Sequence, residues 1–127
     1  MHKTGLLVVG IAAATLMSGG AAWAAGDAAA GKTVFNRVCN ACHTDEADGP
    51  RKLGPTLFGV AGRKAGSVEG FRYSQANKSS GITWTPDVLD EYLKDPKAKV
   101  PGTIMAFAGL KNDTERQNVI AYLETLK

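Results

Sequence analysis

Two cysteines separated by two residues and followed at once by a histidine, Cys39-Asn40-Ala41-Cys42-His43, constrain this chain more than any other feature. They are its only cysteines, and its only other histidine is His2. Three chemistries use such a pattern: a redox dithiol, part of a zinc site, and a covalent haem anchor. A structural zinc ion needs four ligands, and adjacent Cys42 and His43 are awkward partners on one tetrahedral ion. A thiol–disulfide oxidoreductase carries its Cys-x-x-Cys beside a βαβ pattern, and no strand pattern is visible here. As a disulfide staple the pair would close a very short ring and remove little entropy from the unfolded chain. The haem reading explains the spacing. Each thiol adds to one vinyl group, two intervening residues let both sulfurs reach one porphyrin edge, and the next histidine lies under the iron.

The N-terminus says where such chemistry would operate. Lys3 supplies a positive start, Gly5–Met17 is an apolar run, Ser18-Gly19-Gly20 breaks any helix, and Ala22-Trp23-Ala24 is a small-x-small site. This is the layout of a secretory signal peptide, and it predicts a cleaved leader over residues 1–24, one domain over 25–127, and a periplasmic location. The competing reading is an uncleaved anchor, but the 13-residue apolar run is short of the roughly 20 residues that span a bilayer. A mature chain of about 100 residues is near the lower limit for a self-sufficient core. Its large aromatic side chains are few: Phe35, Phe58, Phe71, Phe107, Trp84 and three tyrosines. A large apolar cofactor would supply what such a core lacks. The formal charge is +3 over the whole chain, one less without Lys3, and no long Lys/Arg run argues for nucleic acid.

Three helices are predicted. One starts near Asp27, a good N-cap, and places Gly31, Val34, Phe35 and Val38 on one stripe that leads into Cys39. The second opens at Thr85-Pro86-Asp87, buries Val88, Leu89, Tyr92 and Leu93, and stops at Pro96. The third opens near Asn112-Asp113-Thr114, with Glu115 or Gln117 placed for a capping box, and carries Val119, Tyr122, Leu123 and Leu126. The first and last are expected to pack on each other, with Gly31 allowing close approach. Thr44–Gly81, including the glycine-rich run from Gly54 to Gly70, reads as long loops. So long a stretch is unusual in a compact domain unless it wraps something.

If haem is bound, His43 takes one axial position. Met1, Met17 and His2 lie in the leader, so Met105 is the only methionine left in the mature chain. Lysine, tyrosine, water or an open position are the other options. Met105 sits between Pro101-Gly102 and Gly109, a shaped loop rather than a helix face. Histidine and methionine ligation raises the potential and leaves no position for oxygen or peroxide, which suits electron transfer. The alternative function is a haem enzyme with peroxidase-like activity through a displaceable Met105.

The segments "VCNACH", "GPTLFGVAGRKAG", "GFRYSQANKSSGITW" and "LDEYLKDPKAKVPGTIMAFAGLKNDTERQNVIAYL" together resemble the class I c-type cytochromes, in particular the mitochondrial-like soluble cytochromes c of bacteria. The resemblance spans Gly26 to Lys127. It implies an all-α cytochrome c fold with crossed N- and C-terminal helices, one covalent haem c on Cys39 and Cys42, and His43 and Met105 as iron ligands. It implies that the Pro55 carbonyl accepts the His43 N–H, and that Arg63, Tyr73 and Trp84 bind the haem propionates. Asn77, Tyr92 and Thr103 match a polar group near the methionine, and Phe107 an aromatic at the haem edge. Trp84 and Tyr92 could equally be plain core, and Arg63 a solvated charge. The implied role is a non-enzymatic, monomeric electron carrier docking transiently with membrane complexes. Those would be a quinol–cytochrome c oxidoreductase complex and a terminal oxidase, photosynthetic reaction centre or periplasmic dehydrogenase. Val38, Ala98 and Ile104 stand where the mitochondrial form often has lysines; Lys94, Lys97, Lys99 and Lys111 remain around the Met105 loop. Asp45, Glu46 and Asp48 read as solvated loop charges.

Overall fold

The computed structural model describes residues 26–127; the expected leader and its cleavage point lie outside the described residues. The helices are α1 (Ala28–Val38), α2 (Gln75–Ser79), α3 (Pro86–Lys94), α4 (Pro96–Lys99) and α5 (Asp113–Thr125). Among the described residues there is no strand, only an isolated antiparallel bridge between Lys64 and Thr83. Nor is any helix there long and apolar enough to cross a membrane.

Local chemistry sets the helix starts. Asp27 accepts from the Ala30 N–H at 3.0 Å, Thr85 from Val88 at 3.4 Å, and Asn112 from Glu115 at 2.9 Å. Each satisfies a donor that the first helical turn leaves without a partner. Glu115 does not complete a capping box; its carboxylate pairs with Arg37 of α1 at 2.5 Å. Two short helices depart from the expectations. Pro96 does end α3, but it also occupies the first turn of α4, which Asp95 caps. Ser74 caps α2 within the stretch expected to be loop. Both are too short to show a periodic apolar stripe.

The α1–α5 crossing is the foundation of the core. Phe35 is fully buried there with Val34, Val119 and Leu123, and the Tyr122 ring meets Phe35 edge-on at 5.6 Å. A Cβ on Gly31 would lie 1.9 Å from the Asn118 carbonyl oxygen, so only glycine permits this approach. On α3, Leu89, Tyr92 and Leu93 are buried and Val88 is half-buried, in keeping with the predicted inner face. One buried residue of α5 is not apolar. Arg116 is 3 % exposed; it donates to Asp90 and Asp113 at 2.7 Å each and to the Leu110 carbonyl at 3.0 Å. A guanidinium can be buried only when its N–H groups find such acceptors. Arg116 thus ties α5 to α3 and to the end of the Met105 loop.

Candidate functional site

All twelve residues expected at the site line one cavity of about 440 Å³: Cys39, Cys42, His43, Pro55, Arg63, Tyr73, Asn77, Trp84, Tyr92, Thr103, Met105 and Phe107. The turn carrying the cysteines grows out of α1. Cys39 caps that helix through its N–H on the Phe35 carbonyl at 2.8 Å, and the His43 N–H reaches the Cys39 carbonyl at 2.9 Å. Both cysteines are unpaired, Cys39 half-buried and Cys42 exposed. Burial, with the neighbouring Cys42 adding to it, pushes the Cys39 thiol up to about 11. A redox dithiol needs the opposite, a depressed thiol pKa. Among the described residues, no group of three or more His, Cys, Asp or Glu side chains is arranged to hold a metal ion.

His43 is 8 % exposed. Burial lowers its pKa, the bond to Pro55 works against that, and the Lys52 charge adds to the lowering. The ring is therefore held neutral. Its Nδ1 lies 2.7 Å from the Pro55 carbonyl oxygen, a pure acceptor, so Nδ1 carries the proton and Nε2 keeps its lone pair. Sequence reasoning missed two residues around this ring. Gly54 lies against it: a Cβ there would come within 2.3 Å of Cε1. Lys52 donates from Nζ to the Asn40 carbonyl at 2.5 Å, the Asn40 side chain at 2.8 Å and the His43 carbonyl at 3.1 Å. The only sequence cue for either is adjacency to Pro55.

The Met105 loop follows Gly102, whose φ of 89° lies in the left-handed region that favours glycine. The Thr103 hydroxyl accepts from the Met105 N–H at 3.3 Å. The Tyr92 hydroxyl, its pKa raised by burial, donates to Met105 Sδ at 3.1 Å. Tyr92 is also core, its ring 4.7 Å from that of Trp84, which is itself buried.

The remaining polar groups are incompletely satisfied. Arg63 donates through its two Nη atoms to the carbonyls of Phe58 at 2.8 Å and Thr56 at 2.9 Å, so it is not a solvated surface charge. Its Nε is buried without a partner, and so is Asn77 Oδ1. The Tyr73 hydroxyl accepts from the Val68 N–H at 3.0 Å. Buried orphan donors and acceptors are costly and rare in a finished interior. An apolar cavity with thiols at its edge, a neutral imidazole, a thioether and partnerless polar atoms fits a flat apolar macrocycle bearing carboxylates and a metal.

Two surface readings need correction. Asp45 is not simply solvated: it accepts a hydrogen bond from the buried Tyr122 hydroxyl at 2.5 Å. The lysine patch is also weaker than its count suggests. Lys99 pairs with Glu91, whereas Lys111 donates to the neutral Lys94 carbonyl at 2.5 Å and keeps its charge.

An all-α fold with a Cys-x-x-Cys-His turn at the edge of one large apolar cavity defines a small covalent haem protein. The chain belongs to the cytochrome c family, whose model matches residues 28–127. It is 56% identical over 98 residues to cytochrome c-550 of Nitrobacter winogradskyi, covering 77% of this chain and 89% of that one. It is 52% identical over 101 residues to cytochrome c2 of Blastochloris viridis, covering 80% and 79% respectively. The solved structure of cytochrome cH from Methylobacterium extorquens superimposes with a TM-score of 0.73 at 48% identity, covering 79% of this chain and 99% of that one. The cofactor is one covalent haem c, with Cys39 and Cys42 as its anchors, and the protein is a haem-based electron carrier.

Proposed function

We propose that this protein is a periplasmic carrier of single electrons whose iron is held by His43 and Met105. The observation that carries this reading is the pairing of a neutral imidazole and a thioether on one cavity, each already oriented by a hydrogen bond from its own surroundings. When bound, the haem supplies the one-electron couple between ferrous and ferric iron. With both ligands kept in either state, little would have to rearrange when charge moves. Pro55 orients His43 and strengthens it as a donor. Tyr92 opposes displacement of Met105, which favours a carrier over a peroxidase-like enzyme. Arg63 Nε, a donor, would find its missing partner in a propionate carboxylate. Residues 25–127 form the mature domain, released from a leader over 1–24.

The partners would be acidic faces of a quinol–cytochrome c oxidoreductase complex and of a terminal oxidase, photosynthetic reaction centre or periplasmic dehydrogenase. With Lys99 paired to Glu91, electrostatic steering would rest on the other three lysines and be modest and sensitive to salt. The test is Met105→Ala. The holoprotein should keep its covalent haem while its potential falls, because thioether ligation raises the potential. A spectroelectrochemical titration that gives the parent's potential would reject Met105 as a ligand.

A further inference from the structure

The segment leaving His43 is strapped on one side to residues 52–57. Lys52 holds the His43 carbonyl, the Leu57 N–H reaches the Thr44 carbonyl at 2.8 Å, and the Thr56 hydroxyl donates to the Glu46 carbonyl at 2.9 Å. All of these are contacts between two neighbouring loops. Among the described residues, one side-chain bond joins the segment to the helical frame, from Tyr122 on α5 to half-buried Asp45, across 77 positions of sequence.

Tyr122 is well placed to serve as a reference point. It is 8 % exposed and braced edge-on by Phe35 of α1. The α1–α5 crossing leaves it little freedom: a Cβ added to Gly31 would lie 2.9 Å from Tyr122 Cβ. Its hydroxyl meets a carboxylate, and hydrogen bonds to ionised acceptors are the short, strong ones. Asp45 lies two positions beyond His43, so a bond that fixes it also limits where the histidine backbone can go.

We propose that Asp45 is a positioning residue that acts through Tyr122: their bond ties the His43 segment to the α1–α5 crossing and thereby sets the orientation of the proximal imidazole. The proposal rests on the reading of His43 as an iron ligand. It also gives the helix crossing a task beyond stability, since α1 carries the cysteines at its end while α5 anchors the segment after the histidine.

The test uses the oxidised holoprotein and three variants, Tyr122→Phe, Asp45→Ala and Asp45→Asn. Two quantities are read by NMR: amide hydrogen exchange, and the pattern of haem methyl shifts, which reports the orientation of the axial ligands. Tyr122→Phe and Asp45→Ala should speed exchange at the His43 and Leu57 amides about 10- to 100-fold, the range expected for losing one charge-assisted bond, and should alter the methyl pattern. Asp45→Asn keeps an acceptor oxygen but loses the charge, and should fall between the parent and Asp45→Ala in both. The proposal is overturned if exchange at these amides is unchanged, if protection falls uniformly over α1, α3 and α5, or if exchange rises while the methyl pattern stays the same. Hyperfine-shifted ring protons of His43 in the parent check the ligand reading separately, so its failure is distinguishable from failure of the tether.

Discussion

Gly54→Ala is the sharpest test of how tightly the proximal side is built. The φ of Gly54 is not in the left-handed region, so the backbone itself tolerates alanine. In an exposed loop the change would be mildly stabilising, by about 0.4–1 kcal/mol, because it restricts the unfolded chain. Here the new Cβ would stand 2.3 Å from Cε1, 2.6 Å from Nδ1 and 2.8 Å from Nε2 of His43, whereas ordinary contact begins at 3.4 Å. A ring free to swing would yield cheaply. This ring is buried and held at Nδ1 by the adjoining Pro55 carbonyl, while the Gly54 N–H is itself bonded to the Cys42 carbonyl at 2.7 Å. The clash is therefore relieved by opening the loop. Overpacking costs about 1–3 kcal/mol, and loss of the histidine bond adds roughly 1 kcal/mol. Less the unfolded-state gain, the net cost is about 1–3 kcal/mol. At about 4–8 °C per kcal/mol for a domain of this size, the melting temperature of the holoprotein should drop by roughly 5–20 °C. Loosening the Pro55 bond also weakens the imidazole as a donor, which favours ferrous over ferric iron, so the potential should rise. Thermal unfolding by circular dichroism and a redox titration measure the two effects. An unchanged or higher melting temperature with the parent's potential would refute the clamp.

Other perturbations test the frame. Gly31→Ala should destabilise the protein in urea, although alanine is the better helix former by about 1 kcal/mol, because its Cβ would collide with the Asn118 carbonyl at 1.9 Å; a higher midpoint would show that the crossing can open at little cost. Arg116→Ala removes the partner of partly buried Asp90 and should cost about 3 kcal/mol, read as a lower urea midpoint at unchanged slope; a midpoint equal to the parent's would show the network to be dispensable. Tyr122 has its hydroxyl pushed up to about 12 from 10.0, by burial first and then by the bond to Asp45. A raised pKa means that the protonated form is favoured in the fold, so its contribution is complete below about pH 10 and disappears as pH rises toward 12. Tyr122→Phe should flatten that alkaline loss, as followed by stability curves between pH 9 and pH 12; identical curves for parent and variant would contradict it.

Much of the site was legible because its logic is local or exclusive. Cys39, Cys42 and His43 are contiguous, so their joint chemistry needs no knowledge of the fold. Met105 stood out because it is the one methionine outside the expected leader and sits in a Pro/Gly-shaped loop. The helix caps at Asp27, Thr85 and Asn112 act on donors three residues away, which is why they read correctly. The failures share the opposite property. Asp45 and Tyr122 meet across 77 positions, and Arg116 is satisfied by α3, α5 and a loop together. Nothing near Asp45 distinguishes it from Glu46 or Asp48. A capping glutamate and a helix-pairing glutamate look the same until α1 brings Arg37 beside Glu115.

This division has a consequence for how the cofactor is held. The two anchors and the proposed first ligand, His43, come from one turn at the end of α1, so covalent attachment alone would leave the imidazole free to pivot about that turn. Orientation is added from elsewhere: Pro55 and Gly54 fix the ring, Lys52 fixes the turn's carbonyls, and Tyr92 fixes the thioether. The first three come from the loop at residues 52–55 and the last from α3, and the loop's own bonds to the helices are few. The Gly59 N–H on the Leu126 carbonyl at 2.7 Å is one, and Tyr122 on Asp45 is another. A chain with so small an apolar core can place the two proposed ligands because the loop after His43 is anchored to the α1–α5 crossing and the Met105 loop to α3. The glycines at that crossing and beside His43 therefore bear on the potential as well as on stability.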